Sequence, residues 1–511
     1  MAFIGSILQK AVKLNKTLSK RKYYDAELQH RTLKNLLLMA EHTDFGEHYN
    51  FKEILKSRYF RQDFRDAVPI FDYNKMYEEW WYRSVNDEEN VSWPGKVKYF
   101  ALTSGTSESS SKRIPITNEM IQAINKTSLR QTNTLGDLKL PAKFYEKSVL
   151  MVGGCANLTP IGQHFEGDLS GILASRLPSW FHNFYKPGKR IAQIKDWETK
   201  LDEMTKNAHK WDIGIVAGVP AWVQLLMERV IKHNNVDNIH DVWPNLRIYF
   251  HGGVSFTPYR DSFKKLLGRE IHFLETYLAS EGFLAFETGD SRFTMQLVLD
   301  NGIFFEFIPF NEKNFDENGN VRPDAQTLFI DEVEEGRDYA ILISTCAGTW
   351  RYLIGDVIRF TSLEDFEIII SGRTKHFLSL CGEHLSVDNM NKAIRIVSDK
   401  FDIDINEFTV HGEKDGSLFA HRWYIGVEDS ARFEGQQDAI KSELDEALKS
   451  LNDDYITERK HALKEIYVEI LPLQTFYGFM KSKGKQGGQN KFPRVLKGAI
   501  LEDWKKFINS N

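Results

Sequence analysis

Short apolar runs separated by helical patterns constrain this chain more than any other feature. VKYFAL from Val97, SVLMVGG from Ser148, IGIVAG from Ile213, LRIYFHGG from Leu246 and REIHFLETYL from Arg269 each read as a strand. Between them, residues 220–233 place Leu225, Leu226 and Val230 at helical spacing. Strand and helix in alternation imply an α/β architecture. From about Gly289 the character changes to closely spaced strands, GIFFEFIPF, TLFIDEV and YAILIST, joined by turn-rich pieces such as NFDENGNVRPD, which predicts a mostly antiparallel sheet or barrel. After SGRTKHF at Ser371 a helix over residues 387–401, strands near Phe408 and Phe419, a charged helix over 435–452 and a strand over 465–471 carry apolar faces of their own. The expected division is a large domain, 1–372, and a small α+β domain, 373–511.

Charge and cysteine content exclude several function classes. Lys and Arg number 66 against 71 Asp and Glu, a net charge of -5, which argues against broad nucleic-acid binding. Cys155, Cys346 and Cys381 are far apart with no CxxC pair, so neither a disulfide scaffold nor a structural zinc site is indicated, and a reducing, cytoplasmic setting is expected. No run of about 18 apolar residues occurs, and no stable membrane insertion is expected. The basic N-terminus places Ile4, Ile7, Leu8, Ala11, Leu14 and Leu18 at helical spacing, which reads as an amphipathic helix packed on the body of the protein, with a membrane-surface helix as the alternative.

The densest run of hydroxyl residues, LTSGTSESSSKRIP from Leu102, follows a strand. It reads either as a hydrated connector or as a phosphate wrap, with NH groups and hydroxyls of Thr103, Ser104, Thr106 and Ser107, close approach at Gly105, and charge from Lys112 or Arg113. It is no Walker loop, because a second Gly and a GK pair are missing. Three later segments supply the other parts of a nucleotide site. In FHGGVSF, Gly252 and Gly253 let backbone approach a flat base; in ETYLASEG, Tyr277 offers a stacking ring, Ser280 a hydroxyl for the innermost phosphate and Glu281 a carboxylate for magnesium; in WRYLIGDVIRF, the oxygens of Asp356 suit two ribose hydroxyls.

TSGTSESSSK, YLASEG, YLIGDV and SGRTK, in this order, resemble the adenylate-forming superfamily of acyl-CoA synthetases, luciferase and peptide-synthetase adenylation domains. More narrowly, SGTS, ASEG, YLIGDV, the GEHLS turn and KFPR resemble the auxin-responsive Gretchen Hagen family of acyl acid amido synthetases, bacterial members included. The resemblance implies ATP and Mg2+ as cofactors, nucleotide contacts at Thr103 to Ser107, Gly252, Gly253, Val254, Tyr277, Ser280, Asp356 and Arg373, a magnesium ligand at Glu281, a hinge at Lys375, and catalysis by Lys491 with Glu281 and Ser280. Departures are Glu108 in the loop, Leu278 where relatives have Gly, which is expected to narrow the room near the base, and His376 beside the hinge.

The expected reaction is adenylation of a small carboxylic acid and transfer of the acyl group to an amine, an amino acid by resemblance; the alternatives are transfer to CoA and a nucleotide-binding regulator without turnover. Magnesium, lysine and oriented NH groups matter more here than a protein nucleophile. GDLSG from Gly167 is no nucleophile elbow, and HExxH is absent. His164, His251 and His421 are expected to be satisfied by packing and turns, and Trp180, Phe181 and Phe283 are offered as wall material for an acyl pocket.

Overall fold

The computed structural model describes residues 25–103, 112–177, 179–253, 256, 259–288, 294–316, 319–374, 378, 383, 385–415, 418–452, 455–456, 459, 463–484 and 492–510. The basic N-terminal pattern, the hydroxyl loop from Ser104 to Ser111, Val254, Lys375, His376, Cys381 and Lys491 fall outside them.

One eleven-stranded sheet organises the large domain, in the order β12-β13-β14-β15-β11-β10-β9-β8-β7-β3-β6. Its parallel half consists of β3 (Ser148–Val152), β6 (Tyr185–Lys186), β7 (Ile213–Gly218), β8 (Ile248–Gly252) and β9 (His272–Ala279). Its antiparallel half consists of β10 (Gly282–Phe286), β11 (Met295–Leu297), β12 (Ile303–Pro309), β13 (Asp338–Thr345), β14 (Thr349–Ser362) and β15 (Glu367–Arg373). The strand-rich region beyond Gly289 is thus neither a barrel nor a sheet of its own. Its edge is carried on through the β9–β10 hairpin into the parallel strands, where pairing satisfies backbone groups that a separate sheet would leave exposed. A four-stranded sheet, β2-β1-β5-β4, stands apart; β1 (Tyr99–Thr103) pairs with β2 (Lys112–Ile116) and with β5 (His164–Gly167), which pairs with β4 (Thr159–Ile161), so the hydroxyl loop joins neighbouring strands.

Helices cover both faces of the sheet. Helix α1 (Asp25–Ala40) is fastened to the antiparallel half by Gln29, whose Nε2 donates to Leu299 O at 2.8 Å and whose Oε1 accepts from Phe305 N at 2.7 Å. Helix α2 (Asn118–Thr134) begins at Thr117, whose hydroxyl accepts from Met120 N, satisfying one of the orphan donors of its first turn. It lies over one face of the sheet at β9 and β10, where the two halves join. Helices α3 (Trp197–Asn207), α4 (Pro220–Asn234) and α5 (Arg260–Leu266) lie over the other, around a core of Leu150, Val216, Leu226, Tyr249 and Phe263.

A separate core runs from Leu378 to Val495. It is built on β16 (Glu407–Asp415), β17 (Leu418–Val427) and β18 (Leu463–Pro472), with α6 (Val387–Phe401) and α7 (Gln437–Leu451) packed against each other. Ser386 starts α6 through a reciprocal capping box with Asn389. This unit meets α5 through polar contacts: Tyr259 Oη donates to Glu407 Oε1 at 3.0 Å, Ser262 Oγ to Asn406 Oδ1 at 2.9 Å, and Arg395 Nη1 to Asp261 Oδ2 at 2.6 Å.

Candidate functional site

Side chains of β9 alternate between two chemistries, because a strand sends successive residues to opposite faces. The strand runs parallel to β8 in the register Phe250–Leu274, His251–Glu275 and Gly252–Thr276, so His251, Phe273, Glu275 and Tyr277 share one face while Phe250, Leu274, Thr276 and Leu278 share the other. Both faces border one cavity of about 1530 Å³, at the C-terminal ends of β3, β7 and β8. That is where an α/β sheet leaves a crevice for ligands.

On the first face, three distant segments converge. Tyr277 Oη donates to Asp356 Oδ2 at 2.6 Å, and Arg373 Nε donates to Asp356 Oδ1 at 2.8 Å. Asp356 and Arg373 are partners across the β14–β15 ladder, which brings them together as a matter of register. Gly355 precedes Asp356 at φ 88°, a left-handed conformation that favours glycine, and the β13–β14 register shifts beside it. The Asp356 charge holds the Arg373 guanidinium above its ordinary value. Burial, and secondarily that same carboxylate, drive the Tyr277 phenol well up, so it stays a donor.

Glu281 sits in the turn from β9 to β10 and is 9% exposed. Burial pushes its carboxyl up to about 7; Asp356 adds to the rise, while Arg373 and Lys112 oppose it. Lys112 opens β2, borders the same cavity and holds its ammonium 5.1 Å from the centre of the Tyr73 ring. Arg113, offered equally by the sequence, is committed elsewhere: its Nε donates to Glu166 Oε1 at 2.5 Å. Since Thr103 pairs with Lys112, both ends of the hydroxyl loop are anchored beside this cavity.

The glycines arrive by close approach. A Cβ on Gly252 would stand 2.2 Å from Thr276 O, so no other residue fits there without moving the backbone, and Gly253 takes φ 83°. Ser280 also borders the cavity. Among the predicted positions in described residues, Gly252, Gly253, Tyr277, Ser280, Glu281, Asp356 and Arg373 therefore line one space, with Thr103 at the root of the loop.

The face toward α2 is neutral. Ser128, Gln131 and Thr132 border the cavity together with Met151, Ala217, Phe250, Thr276 and Phe283, and Gln131 Nε2 donates to Thr276 Oγ1 at 2.8 Å. Phe181 and Phe283 belong to the lining as proposed, whereas the Trp180 side chain lies outside the described atoms. Leu278 corrects an expectation. Strand alternation turns it away from the Tyr277 ring, and it pairs with Phe283 and packs on the main core, so it narrows the neutral side.

His251 departs from expectation too. It packs, with its ring 4.4 Å from that of Phe256, but its Nδ1 is buried with no hydrogen-bond partner among the described residues. Burial, reinforced by Arg260, takes it down to about 3, so the ring is neutral. His421 forms a fully buried pair with Glu383 at 2.9 Å, and its Nδ1 is likewise unpartnered, while His164 lies between Asp87 and Glu166. Sequence reasoning passed over Gln131, Thr276, Glu275, Glu287 and Arg494. Glu275 and Thr276 could have been found by extending the alternation outward from Tyr277, whereas Gln131 on α2 and Glu287 beyond β10 carry no local signal. Arg494, in the KFPR segment, bonds Glu407 at 2.7 Å, and both border the cavity from the small domain.

No group of three metal-ligating side chains stands together among the described residues. A single carboxylate with substrate phosphates completing the shell is the arrangement magnesium commonly takes, and Glu281, buried and proton-retaining when alone, fits such a partner.

Family models match most of the chain: a GH3 family N-terminal domain over residues 15–157 and 160–271, a central domain over 296–367 and a C-terminal domain over 388–499. Jasmonoyl-L-amino acid synthetase JAR6 of Nicotiana attenuata is 22% identical over 553 residues, 92% of this chain and 91% of its own. Among solved structures, GH3.15 acyl acid amido synthetase superposes with a TM-score of 0.76 at 16% identity, covering 98% of this chain and 96% of its own. A 2-hydroxyisobutyryl-CoA ligase in its postadenylation state does so at 0.60 and 13% identity, covering 95% and 92%.

Proposed function

Since the chain belongs to the GH3 family, we propose that the convergence on Asp356 is its nucleotide site and that it activates a small carboxylic acid with ATP and hands the acyl group to an amine. The enzyme is an ATP-dependent acyl acid amido synthetase. The carboxylate attacks the α-phosphate and expels pyrophosphate, giving an acyl adenylate; the amine then attacks the acyl carbon and AMP leaves. Carboxylate and triphosphate repel each other, so the protein's contribution is positioning and charge compensation.

The observation that carries this reading is the meeting of Tyr277, Asp356 and Arg373 in a cavity that also holds Glu281, Lys112 and the two close-approach glycines. In it, Asp356 accepts from the ribose hydroxyls, Tyr277 offers its ring to the base, and Lys112 with the loop following Thr103 faces the phosphates. Glu281 and Ser280 lie at the reacting end. A magnesium ion held by Glu281 would neutralise phosphate charge. Lys491, Lys375 and Val254 keep the roles the family resemblance implies, with 1–372 and 373–511 as the parts that move. The neutral pocket under α2 takes the acyl group.

The test is exchange of labelled pyrophosphate into ATP across a panel of carboxylic acids, followed by mass identification of products formed with amino acids or with CoA. Acid-dependent exchange and an amide product support the reading; a thioester would reassign the acceptor, and no exchange with any acid would leave a nucleotide-binding protein.

A further inference from the structure

The junction between α5 and the small domain is polar, and no apolar cluster crosses it among the described residues, which is the character of domains that part and rejoin. One contact in it leads on to the cavity. Tyr259, the residue before α5, is 2% exposed and packs in the core of the large domain, and its Oη donates to Glu407 Oε1 at 3.0 Å. Burial, and next the Glu407 charge, hold that phenol well above its ordinary value, so it stays a donor. The other oxygen of Glu407, at the start of β16, accepts from Arg494 Nη1 at 2.7 Å. The same Nη1 donates to Phe408 O at 3.0 Å, and the guanidinium carbon lies 4.4 Å from the centre of the Phe408 ring. Beside it, Thr409 Oγ1 donates to Pro493 O at 2.7 Å, Val410 N to Arg494 O at 3.0 Å and Leu496 N to Val410 O at 2.9 Å.

On the reading of this cavity as the ATP site and of Lys491 as the residue that acts there, we propose that Tyr259, Glu407 and Arg494 are positioning residues. They hold the KFPR edge of the small domain against the cavity, so that its lysine meets the phosphates of ATP. Phe492, Pro493 and Arg494 all border the cavity, and so do Tyr259 and Glu407 at the other end of this chain of bonds. Only Phe492 and Pro493 separate Lys491 from Arg494 in the sequence, and the proline fixes one backbone angle, so a displacement of the guanidinium is carried over a short, stiff stretch. Glu407 is the pivot because a carboxylate offers two oxygens at fixed spacing: the large domain holds one and the lysine-bearing segment the other. Both bonds are charge-assisted, which makes them stronger than neutral ones. Arg494 works through Glu407, since its Nη1 is occupied by Glu407 and Phe408 O.

Calorimetric titration of the full chain with ATP and magnesium tests this without knowledge of the acid, in a double-mutant cycle of Tyr259→Phe with Lys491→Ala. Tyr259→Phe keeps the ring and removes the donor. It is expected to weaken ATP by about five-fold when Lys491 is present and by less than about two-fold in Lys491→Ala, because the bond matters only through the lysine. Glu407→Gln, which removes the charge from both bonds, weakens ATP by about ten-fold, again only when Lys491 is present. Equal weakening by Tyr259→Phe in both backgrounds marks a merely structural role and overturns the proposal. No weakening by Tyr259→Phe, with Lys491→Ala weakening ATP, also overturns it and leaves the lysine reading standing. No effect of Lys491→Ala removes the lysine reading and the proposal together, and no binding of ATP by the unaltered protein removes the nucleotide reading beneath both. Should Tyr259→Phe fail to fold, Glu407→Gln decides by the same cycle.

Discussion

Thr276 and Tyr277 are neighbours in the chain, yet they belong to regions of opposite character. Thr276 points to α2 and a pocket whose polar groups, Ser128, Gln131 and Thr132, are all neutral. Tyr277 points to a cluster of Asp356, Arg373 and, further along, Glu275 and Glu287. On the proposed reading, one sheet keeps the two reactants apart until they meet at its upper edge, where Ser280 and Glu281 turn the chain into β10. The lesson is that a period of two lets adjacent residues serve a charged ligand and a neutral one without either field disturbing the other.

The contrast can be broken from either side. The largest effect is expected from Asp356→Ala, which removes the acceptor shared by Tyr277 and Arg373 and should weaken ATP binding by roughly ten- to 150-fold while leaving affinity for the acid nearly unchanged. Direct titration with each ligand checks it. Glu281→Gln should lower pyrophosphate exchange by on the order of 100-fold at fixed magnesium. In the unaltered protein, magnesium affinity should rise as pH passes upward through about 7, where Glu281 loses its proton, and this rise should vanish in the variant.

On the neutral side, Gln131→Ala breaks the bond to Thr276 and should raise the KM for the acid by about five-fold with the KM for ATP unchanged, the value of one uncharged hydrogen bond. If ATP affinity moved equally, the separation of the two faces would be lost.

The smallest effect concerns stability. Glu281 and Glu275 release their protons near 4.5 in the unfolded chain but near 7 in the folded one, so each stabilises the fold fully below 4.5 and that contribution is lost as pH rises to about 7. Melting temperature without ligands should decline by roughly several degrees across that window, and Glu281→Gln should flatten the decline.

In the parallel half, β3, β7, β8 and β9 were legible because each lies in a short apolar run flanked by turn residues, whereas β6, only Tyr185–Lys186, has no such run. The antiparallel half was legible as strands but not as part of the same sheet, since pairing of β11 with β15, whose partners Met295 and Ile368 lie far apart in the chain, leaves no local mark. The site divides in the same way. Glycine pairs, a serine and threonine bend and the Tyr-to-Glu run announce themselves by type and order. Gln131, Glu287 and His251 carry no such mark, because what singles them out is a partner across a ladder or a missing one.

Residue type and order along the chain were enough to establish α/β layering, a family and the groups able to meet a nucleotide, because backbone propensity and turn chemistry are local. Only the folded arrangement decided which face each of those groups looks onto, that Arg113 is spent on Glu166 while Lys112 borders the cavity, and that Glu275 stands beside a second acid. Burial and strand register are properties of the whole sheet, and they set charge, proton affinity and neighbour together.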